Sequence, residues 1–233
     1  MNRYDETTRR PLLSHIVGGK YDGSSLENGL PYHSFFGLRV RSHRGDVGPR
    51  AEQILDNIDV AGLQGVDLGC NIGGITFSME RAGASMTGVD YDEGAIHIAR
   101  VVGDELGSSA KFTAASISPQ NLLGFCRGRQ LVVWLAQWMW FVRQHGKEQG
   151  IEALRRISKE TQILVFESSF GDGMAGPLMR QLGITKPLVK EIISDHFDLV
   201  RDLGRSHDGW HRREIIIAAR GKGLSRVKTA PAE

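Results

Sequence analysis

The stretch of sequence that decides the fold reads Val66-Asp67-Leu68-Gly69-Cys70-Asn71-Ile72-Gly73-Gly74. Its apolar start predicts a short buried strand at 66–68, and the glycine-rich segment that follows predicts a turn. A helix is predicted over about 74–82, because apolar side chains recur there at helical spacing. Gly69 and Gly73 allow the backbone to turn sharply and to approach a ligand that a Cβ would repel. The stretch therefore predicts a strand–turn–helix unit with a ligand at its turn.

Strands and helices alternate on both sides of this unit. A helix is predicted at 51–58, strands at 85–89, 111–115, 131–135 and 162–166, and helices after Asp92, a plausible N-cap, and at 151–157. Two last strands, at 197–203 and 214–219, are expected to pair as an antiparallel hairpin. The predicted fold class is α/β, a doubly wound and mostly parallel sheet with helices on both faces.

Three segments are predicted along the chain. Residues 1–50 lack sustained periodicity and are expected to form an N-terminal cap or lid. Residues 51–220 form the predicted core. The basic, small and polar residues 221–233 are expected to be a disordered tail.

Composition excludes several classes of protein. In 233 residues, a hydrophobic share of 40% and a charged share of 24% rule out a disordered chain, and two cysteines cannot build a disulfide scaffold. Net charge is +2, and 51–170 carries 10 basic against 14 acidic residues, so a nucleic-acid partner is not expected. The polar start is unlike a signal peptide, and the longest apolar run, 131–142, is too short to span a bilayer. These features predict a cytoplasmic protein.

Asp90 ends the second predicted strand, 23 residues after Asp67. A carboxylate there can accept hydrogen bonds from both hydroxyls of a ribose. A dinucleotide site is the first rival, but its G-x-G-x-x-G pattern would need a glycine where the chain has Asn71. Asp67 would also repel a pyrophosphate, whereas it suits a ligand that carries an ammonium or a sulfonium.

The segment from Asp67 to Gly74, followed by Asp90, resembles class I S-adenosylmethionine-dependent methyltransferases, which have a Rossmann-like fold. The resemblance covers about 51–220 and implies S-adenosylmethionine as cofactor. Ser116 departs from the family, in which many members carry an acid near the adenine amino group. The cofactor-binding residues that the resemblance implies are Asp67, Gly69, Cys70, Asn71 and Gly73 around the methionine part, Asp90 at the ribose, Tyr91 and Ser116 near the adenine, and Gln137.

Candidate acceptor-side residues follow the fourth and fifth predicted strands. Gln137 and Trp138 can wall off an acceptor, although the tryptophan can equally pack in the core. His145 is a candidate general base because the usual histidine pKa suits proton uptake near neutral pH. Glu167 and His33 are rivals for that role, and a solvated histidine or a structural glutamate is the alternative in each case.

Tyr32 and His33 begin a segment that also contains Arg50. This segment loosely resembles the pre-core part of methyltransferases related to tRNA wobble-uridine carboxymethyl transferases and to bacterial glycan modifiers. The candidate substrate-binding residues are Tyr32, Arg50, Trp138 and Arg212, of which the arginines suit a phosphate or carboxylate. A solvated basic surface is the alternative. No metal site is predicted, since His207 and His211 are accompanied by no third ligand.

The sequence thus predicts a biosynthetic S-adenosylmethionine-dependent methyltransferase that modifies an oxygen of a small-molecule or glycan-like acceptor. An RNA methyltransferase and a non-catalytic, cofactor-binding partner subunit remain the alternatives. Oligomeric state is not indicated.

Overall fold

The computed structural model describes residues 47–170, 175–205 and 213–229. Most of the predicted cap, 1–46, lies outside these ranges. Within them, no helix combines the length and the apolar character that a membrane span requires. The helices are α1 (Val47–Leu55), α2 (Gly74–Arg81), α3 (Glu93–Leu106), α4 (Leu122–Cys126), α5 (Gln137–His145), α6 (Lys147–Glu160), α7 (Gly176–Gln181) and α8 (Lys186–Ser194). The strands are β1 (Gln64–Leu68), β2 (Ser85–Asp90), β3 (Lys111–Ala114), β4 (Leu131–Leu135), β5 (Ile163–Ser168), β6 (Leu199–Arg205) and β7 (Glu214–Ala219).

The strands form one sheet of seven, in the order β3-β2-β1-β4-β5-β7-β6. The first five strands in this order pair in parallel, and β7 runs antiparallel to both β5 and β6. Asp67 lies opposite Gly88 on β2 and Val133 on β4. The order of the strands reverses between β1 and β4. This reversal is the topological switch point of the sheet, and the glycine-rich turn that follows β1 lies beside it. The predicted fold class is confirmed.

Helices cover both faces of the sheet, and β4 shows why. Val132 and Trp134 point into one hydrophobic core, whereas Leu131, Val133 and Leu135 point into the other. All five side chains are buried, as the continuous apolar run of a central parallel strand requires. At the start of α3, the Asp92 side chain accepts a hydrogen bond from the Ala95 backbone N–H, which confirms the predicted N-cap.

Residues 221–229 of the predicted disordered tail have a defined structure, whereas 230–233 lie outside the described residues. Gly221–Arg226 forms a 3₁₀ helix, and Val227 then pairs with Ile58. Arg226 contacts Asp59 at 3.1 Å, and the Lys228 backbone N–H donates to the Asn57 carbonyl. The basic composition of this segment therefore reflects contacts with the loop after α1, which local periodicity does not reveal.

Candidate functional site

A cavity of about 930 Å³ opens at the carboxyl ends of the parallel strands. It lies at the switch point between β1 and β4, where ligands bind in open α/β sheets. Its volume is within the range of small-molecule and cofactor sites. The described residues that line it are Arg50, Asp67, Gly69, Cys70, Asn71, Ile75, Asp90, Tyr91, Asp92, Ser116, Ile117, Leu135, Ala136, Gln137, Trp140, Arg143, Gln144 and Arg213.

The turn after β1 forms the floor of this cavity. The Gly69 and Cys70 backbone N–H groups both donate to the Val89 carbonyl, which fastens the turn to β2. Gly69 has a φ of 82°, and a Cβ on it would lie 2.7 Å from the Gln137 side chain. Gly69 is therefore required both by its backbone conformation and by the close approach of α5.

Gly73 is required by the packing of α2. It precedes α2 with a φ of 84°, and a Cβ there would lie less than 3 Å from the rings of Phe112 and Phe77. It is absent from the described cavity lining. The contact of Gly73 with the cofactor that the resemblance implies stays a prediction.

Asp90 holds the two segments that flank its side chain. Its Oδ2 accepts from the Asn71 backbone N–H at 2.8 Å, and its Oδ1 accepts from the Asp92 N–H at 3.1 Å. Burial raises the pKa of this carboxyl, and the backbone hydrogen bonds oppose that effect. A carboxylate oxygen can accept more than one hydrogen bond, so Asp90 can also bind hydroxyls in the cavity that it lines.

Asp67 lies deeper, with 3% of its surface exposed. Burial raises its pKa to about 6, although a hydrogen bond from Thr76 and the positive charge of Arg50 lower it. Thr76 Oγ1 donates to Asp67 Oδ2 at 2.8 Å. Burial also raises the pKa of the neighbouring Cys70 thiol well above its usual range, so this cysteine is a neutral lining group.

Backbone strain within the described residues is concentrated at the cavity. Asn71, with a φ of 50°, and Ala136, with a φ of 63°, both adopt the left-handed conformation and both line the cavity. This conformation costs a residue such as alanine about 1–2 kcal/mol, whereas asparagine adopts it more readily, so the strain is greatest at Ala136. Strain of this kind is often found at functional sites, where the surrounding structure maintains it.

A buried ionic cluster forms the wall on the β5 and β7 side of the cavity. Arg50 on α1 donates to both carboxylate oxygens of Glu167, at 3.4 Å and 3.1 Å. Arg213, directly before β7, places its Nη1 3.7 Å from Glu167 Oε2. The side chains of Arg50, Glu167 and Arg213 are 3%, 0% and 6% exposed. We call these three residues the arginine–glutamate cluster.

Two aromatic side chains lie at the rim. Tyr91 is 66% exposed and follows β2, where the resemblance expects a contact with adenine. Trp140 on α5 is 38% exposed, and the Arg143 guanidinium lies 5.4 Å from the centre of its ring. Ser116 and Gln137 also line the cavity. These positions are compatible with the roles predicted from the sequence.

Trp138 and His145 are directed away from the cavity. Trp138 is fully buried, and its indole N–H donates to the Gly150 carbonyl at 2.9 Å. The His145 ring packs on Phe141 with the ring centres 4.6 Å apart. The reason is that 137–145 is a helix, in which side chains three or four positions apart share a face. The face toward the cavity carries residues 137, 140, 143 and 144. Residues 138, 141, 142 and 145 point elsewhere. The predicted acceptor contact of Trp138 is therefore not retained, and His145 does not reach the described cavity.

Three predicted site residues, Tyr32, His33 and Arg212, lie outside the described residues. Conversely, Arg213, Arg143 and Gln144 line the cavity although no sequence pattern marks them as site residues. Arg213 immediately precedes the last strand, and the pairing of that strand with β5 is the signal that would have placed it beside Glu167.

No family model matches the chain, and no curated protein matches it. Among solved structures, a complex of WbdD with the kinase inhibitor LY294002 matches 89% of this chain and 47% of WbdD, with a TM-score of 0.69 and 19% identity. The chain therefore spans about half the length of WbdD.

Two further solved structures share this arrangement. The magnesium protoporphyrin IX methyltransferase ChlM of Synechocystis PCC 6803, solved with bound SAM, matches 74% of this chain and 76% of its own, with a TM-score of 0.54 and 17% identity. The 16S rRNA methyltransferase RsmC of T. Thermophilus matches 75% and 42%, with a TM-score of 0.50 and 13% identity. The protein has the fold of the class I S-adenosylmethionine-dependent methyltransferases.

Proposed function

We propose that this protein is an S-adenosylmethionine-dependent methyltransferase that modifies an oxygen atom of a small-molecule or glycan-like acceptor. The observation that carries the proposal is the placement of Asp67 and Asp90 on the two sides of the strained turn at the switch point. One carboxylate is deeply buried, and the other is fixed by two backbone N–H groups.

The side chains present fit the cofactor. Its ammonium and sulfonium are cations, and Asp67 offers a carboxylate beside Gly69 and Cys70. Asp90 offers acceptors to a ribose, and the exposed ring of Tyr91 offers a surface on which an adenine can stack. The neighbours ChlM and RsmC, solved with SAM and AdoMet respectively, support this assignment.

When bound, S-adenosylmethionine supplies an electrophilic methyl group, so the residues of the chain have to bind and align an acceptor. Good alignment contributes about 7–11 kcal/mol to such a reaction. Gln137 and Trp140 lie on the cavity face of α5, where they can hold an acceptor between the turn and the arginine–glutamate cluster. The free, buried thiols of Cys70 and Cys126 suit a reducing compartment such as the cytoplasm.

Calorimetry with S-adenosylhomocysteine, NAD and NADP tests the cofactor assignment. We expect binding of S-adenosylhomocysteine alone, and we expect Asp90→Ala to weaken it by about 1.5–3 kcal/mol, the usual contribution of hydrogen bonds to a charged group. Asp59→Ala is the matched control, because Asp59 bonds its own loop and Arg226 at the surface. Tighter binding of NAD, or unchanged affinity in a folded Asp90→Ala variant, would refute the assignment.

A turnover assay against small hydroxylated, carboxylated and phosphorylated compounds tests the reaction itself. Release of S-adenosylhomocysteine with one of these compounds supports the proposal. A salt-sensitive shift of tRNA in a gel together with methylation of the RNA would instead favour the RNA enzyme, because phosphate contacts make such binding salt-dependent. Cofactor binding without turnover on any acceptor would favour a non-catalytic partner subunit.

A further inference from the structure

We propose that the acceptor carries a phosphate or carboxylate oxyanion, that Arg213 binds this oxyanion, and that the methylated oxygen belongs to it. This inference rests on the proposed function, since it names the substrate class of the same cavity.

Charge changes sign along the edge of the sheet that forms the cavity. Asp90 ends β2 and Asp67 lies on the neighbouring β1. On the other side of the switch point, Arg213 lies next to the end of β5. In an open sheet, a ligand that lies along this edge meets the carboxylates of Asp67 and Asp90 at one end and the guanidinium group of Arg213 at the other. The cationic cofactor suits the end of the cavity that carries the carboxylates. The acceptor then lies at the end that carries the guanidinium group, and an anion suits that end.

Within the arginine–glutamate cluster, Glu167 fixes the positions of the two arginines. Glu167 is fully buried and lies between the two guanidinium groups, with Arg50 Nη1 at 3.1 Å and Arg213 Nη1 at 3.7 Å from the same oxygen. The longer contact is a charge interaction rather than a hydrogen bond. Glu167 is therefore a positioning residue, and Arg213 is one of the residues that line the cavity. A guanidinium is always charged and donates well to an oxygen of a phosphate or a carboxylate.

The same geometry disfavours Glu167 as a general base. A base has to reach the proton of the acceptor, whereas Glu167 already accepts hydrogen bonds from Arg50 on both of its oxygens. Glu167 is also absent from the described cavity lining, and the carboxylates that belong to it, Asp67, Asp90 and Asp92, lie at the cofactor end.

An oxyanion acceptor needs no base. Its lone pair forms the new O–C bond to the methyl group while the C–S bond breaks, and the bonding electrons remain on sulfur. The sulfonium becomes a neutral thioether and the oxyanion becomes a methyl ester, so no proton is transferred. Arg213 would bind a non-reacting oxygen of the same group and thereby orient the reacting one.

Ligand-observed NMR tests the binding step directly. Protein saturated with S-adenosylhomocysteine is titrated with methyl phosphate, with acetate or with methanol, and saturation transfer to the methyl protons of each probe is measured. We expect a signal from methyl phosphate or acetate and none from methanol. The stronger of the two anion signals identifies the phosphate or the carboxylate class.

Substitutions assign the signal to Arg213. Arg213→Gln should reduce the anion signal at least about fivefold, and Arg213→Lys, which keeps the positive charge but loses the guanidinium group, should reduce it less. Arg226→Gln, which removes a cation that pairs with Asp59 outside the described cavity lining, is the matched control and should leave the signal unchanged. Affinity for S-adenosylhomocysteine, measured by calorimetry, should stay within about twofold of the wild-type value in every variant. Retained affinity shows that the variant is folded.

Several results would overturn the inference. These are an anion signal that persists in Arg213→Gln, a wild-type protein that binds methanol as well as it binds the anions, and a variant that loses S-adenosylhomocysteine together with the anion. The last result would place Arg213 in the cofactor site. A wild-type protein that fails to bind S-adenosylhomocysteine refutes the proposed function itself, whereas cofactor binding without an anion signal refutes only the oxyanion.

Discussion

Arg50 Nη1 lies 3.1 Å from Glu167 Oε2, although 117 positions separate the two residues in the chain. The pair joins α1, which precedes the sheet, to the end of β5 at the cavity. Because both side chains are almost fully buried, the pair fastens the start of the described chain to the wall of the site. Arg213, directly before β7, approaches the same carboxylate, so two distant segments converge on Glu167 at the end of β5.

Glu167→Gln should therefore destabilise the protein. The substitution preserves volume but leaves two buried guanidinium groups without their carboxylate, and breaking a buried ion pair in this way typically costs about 3–5 kcal/mol. Urea denaturation gives the free energy of unfolding. Arg226→Gln, which breaks the more exposed pair with Asp59, should cost less than about 1 kcal/mol. If Glu167→Gln loses no more free energy of unfolding than Arg226→Gln, Glu167 has no structural role.

The positions of Asp67, the turn and Asp90 at the cavity could be predicted from the sequence because their determinants are local. Asp67, the glycine turn and Asp90 lie within 24 consecutive residues, and each is placed by the end of its own strand. Strand positions and the final antiparallel pair were recognisable for the same reason, since apolar runs and turn residues mark them.

The acceptor half could not be predicted in this way. The apolar run 131–142 crosses the end of β4 and enters α5 without a break in composition, and the boundary is set by the left-handed conformation of Ala136. The sequence does not show that 137–145 is a helix, so it does not reveal that Gln137 faces the cavity and Trp138 does not. The contact of Arg213 with Glu167 depends on the antiparallel pairing of β7 with β5, which links residues 46 positions apart.

Gly69→Ala should weaken cofactor binding beyond its effect on stability. The added Cβ would lie 2.7 Å from Gln137, so the turn and α5 have to separate. Gly107→Ala is a matched control, because Gly107 is also left-handed, with a φ of 60°, and a Cβ there meets nothing within 4 Å. Both variants should lose about 1–2 kcal/mol of stability from backbone strain.

Calorimetry with S-adenosylhomocysteine separates the two glycine variants. We expect a loss of affinity of about tenfold or more, which is about 1.4 kcal/mol, for Gly69→Ala alone. Equal affinities in the two variants would mean that the approach of Gln137 to the turn has no part in binding.

Asp67 should make cofactor binding depend on pH. Burial raises its pKa to about 6, so below that pH the carboxyl is mostly protonated in the free protein. A cation bound beside it favours the ionised form, and binding therefore releases a proton at low pH. Affinity for S-adenosylhomocysteine should rise about tenfold between pH 5 and pH 7. Calorimetry in buffers of different ionisation enthalpy measures both the affinity and the released proton. Asp67→Asn should remove the rise in affinity with pH. A rise that persists in the variant would assign the pH dependence to another group.

His145 is the residue for which the sequence and the structure predict different results. As a general base it would contribute about 10²–10⁴-fold to the rate, and His145→Ala would lower kcat accordingly. In the structure, its ring packs on Phe141, and within the described residues its buried Nε2 has no hydrogen-bond partner. We therefore expect His145→Phe, which keeps an aromatic ring against Phe141, to retain kcat within a few-fold on any acceptor that supports turnover. The pH profile of kcat should likewise keep its shape in the variant, because His145 does not line the described cavity and is not placed to take a proton from the acceptor. A hundredfold fall in kcat with unchanged affinity for S-adenosylhomocysteine would restore the histidine as the base and would favour a hydroxyl acceptor over an oxyanion.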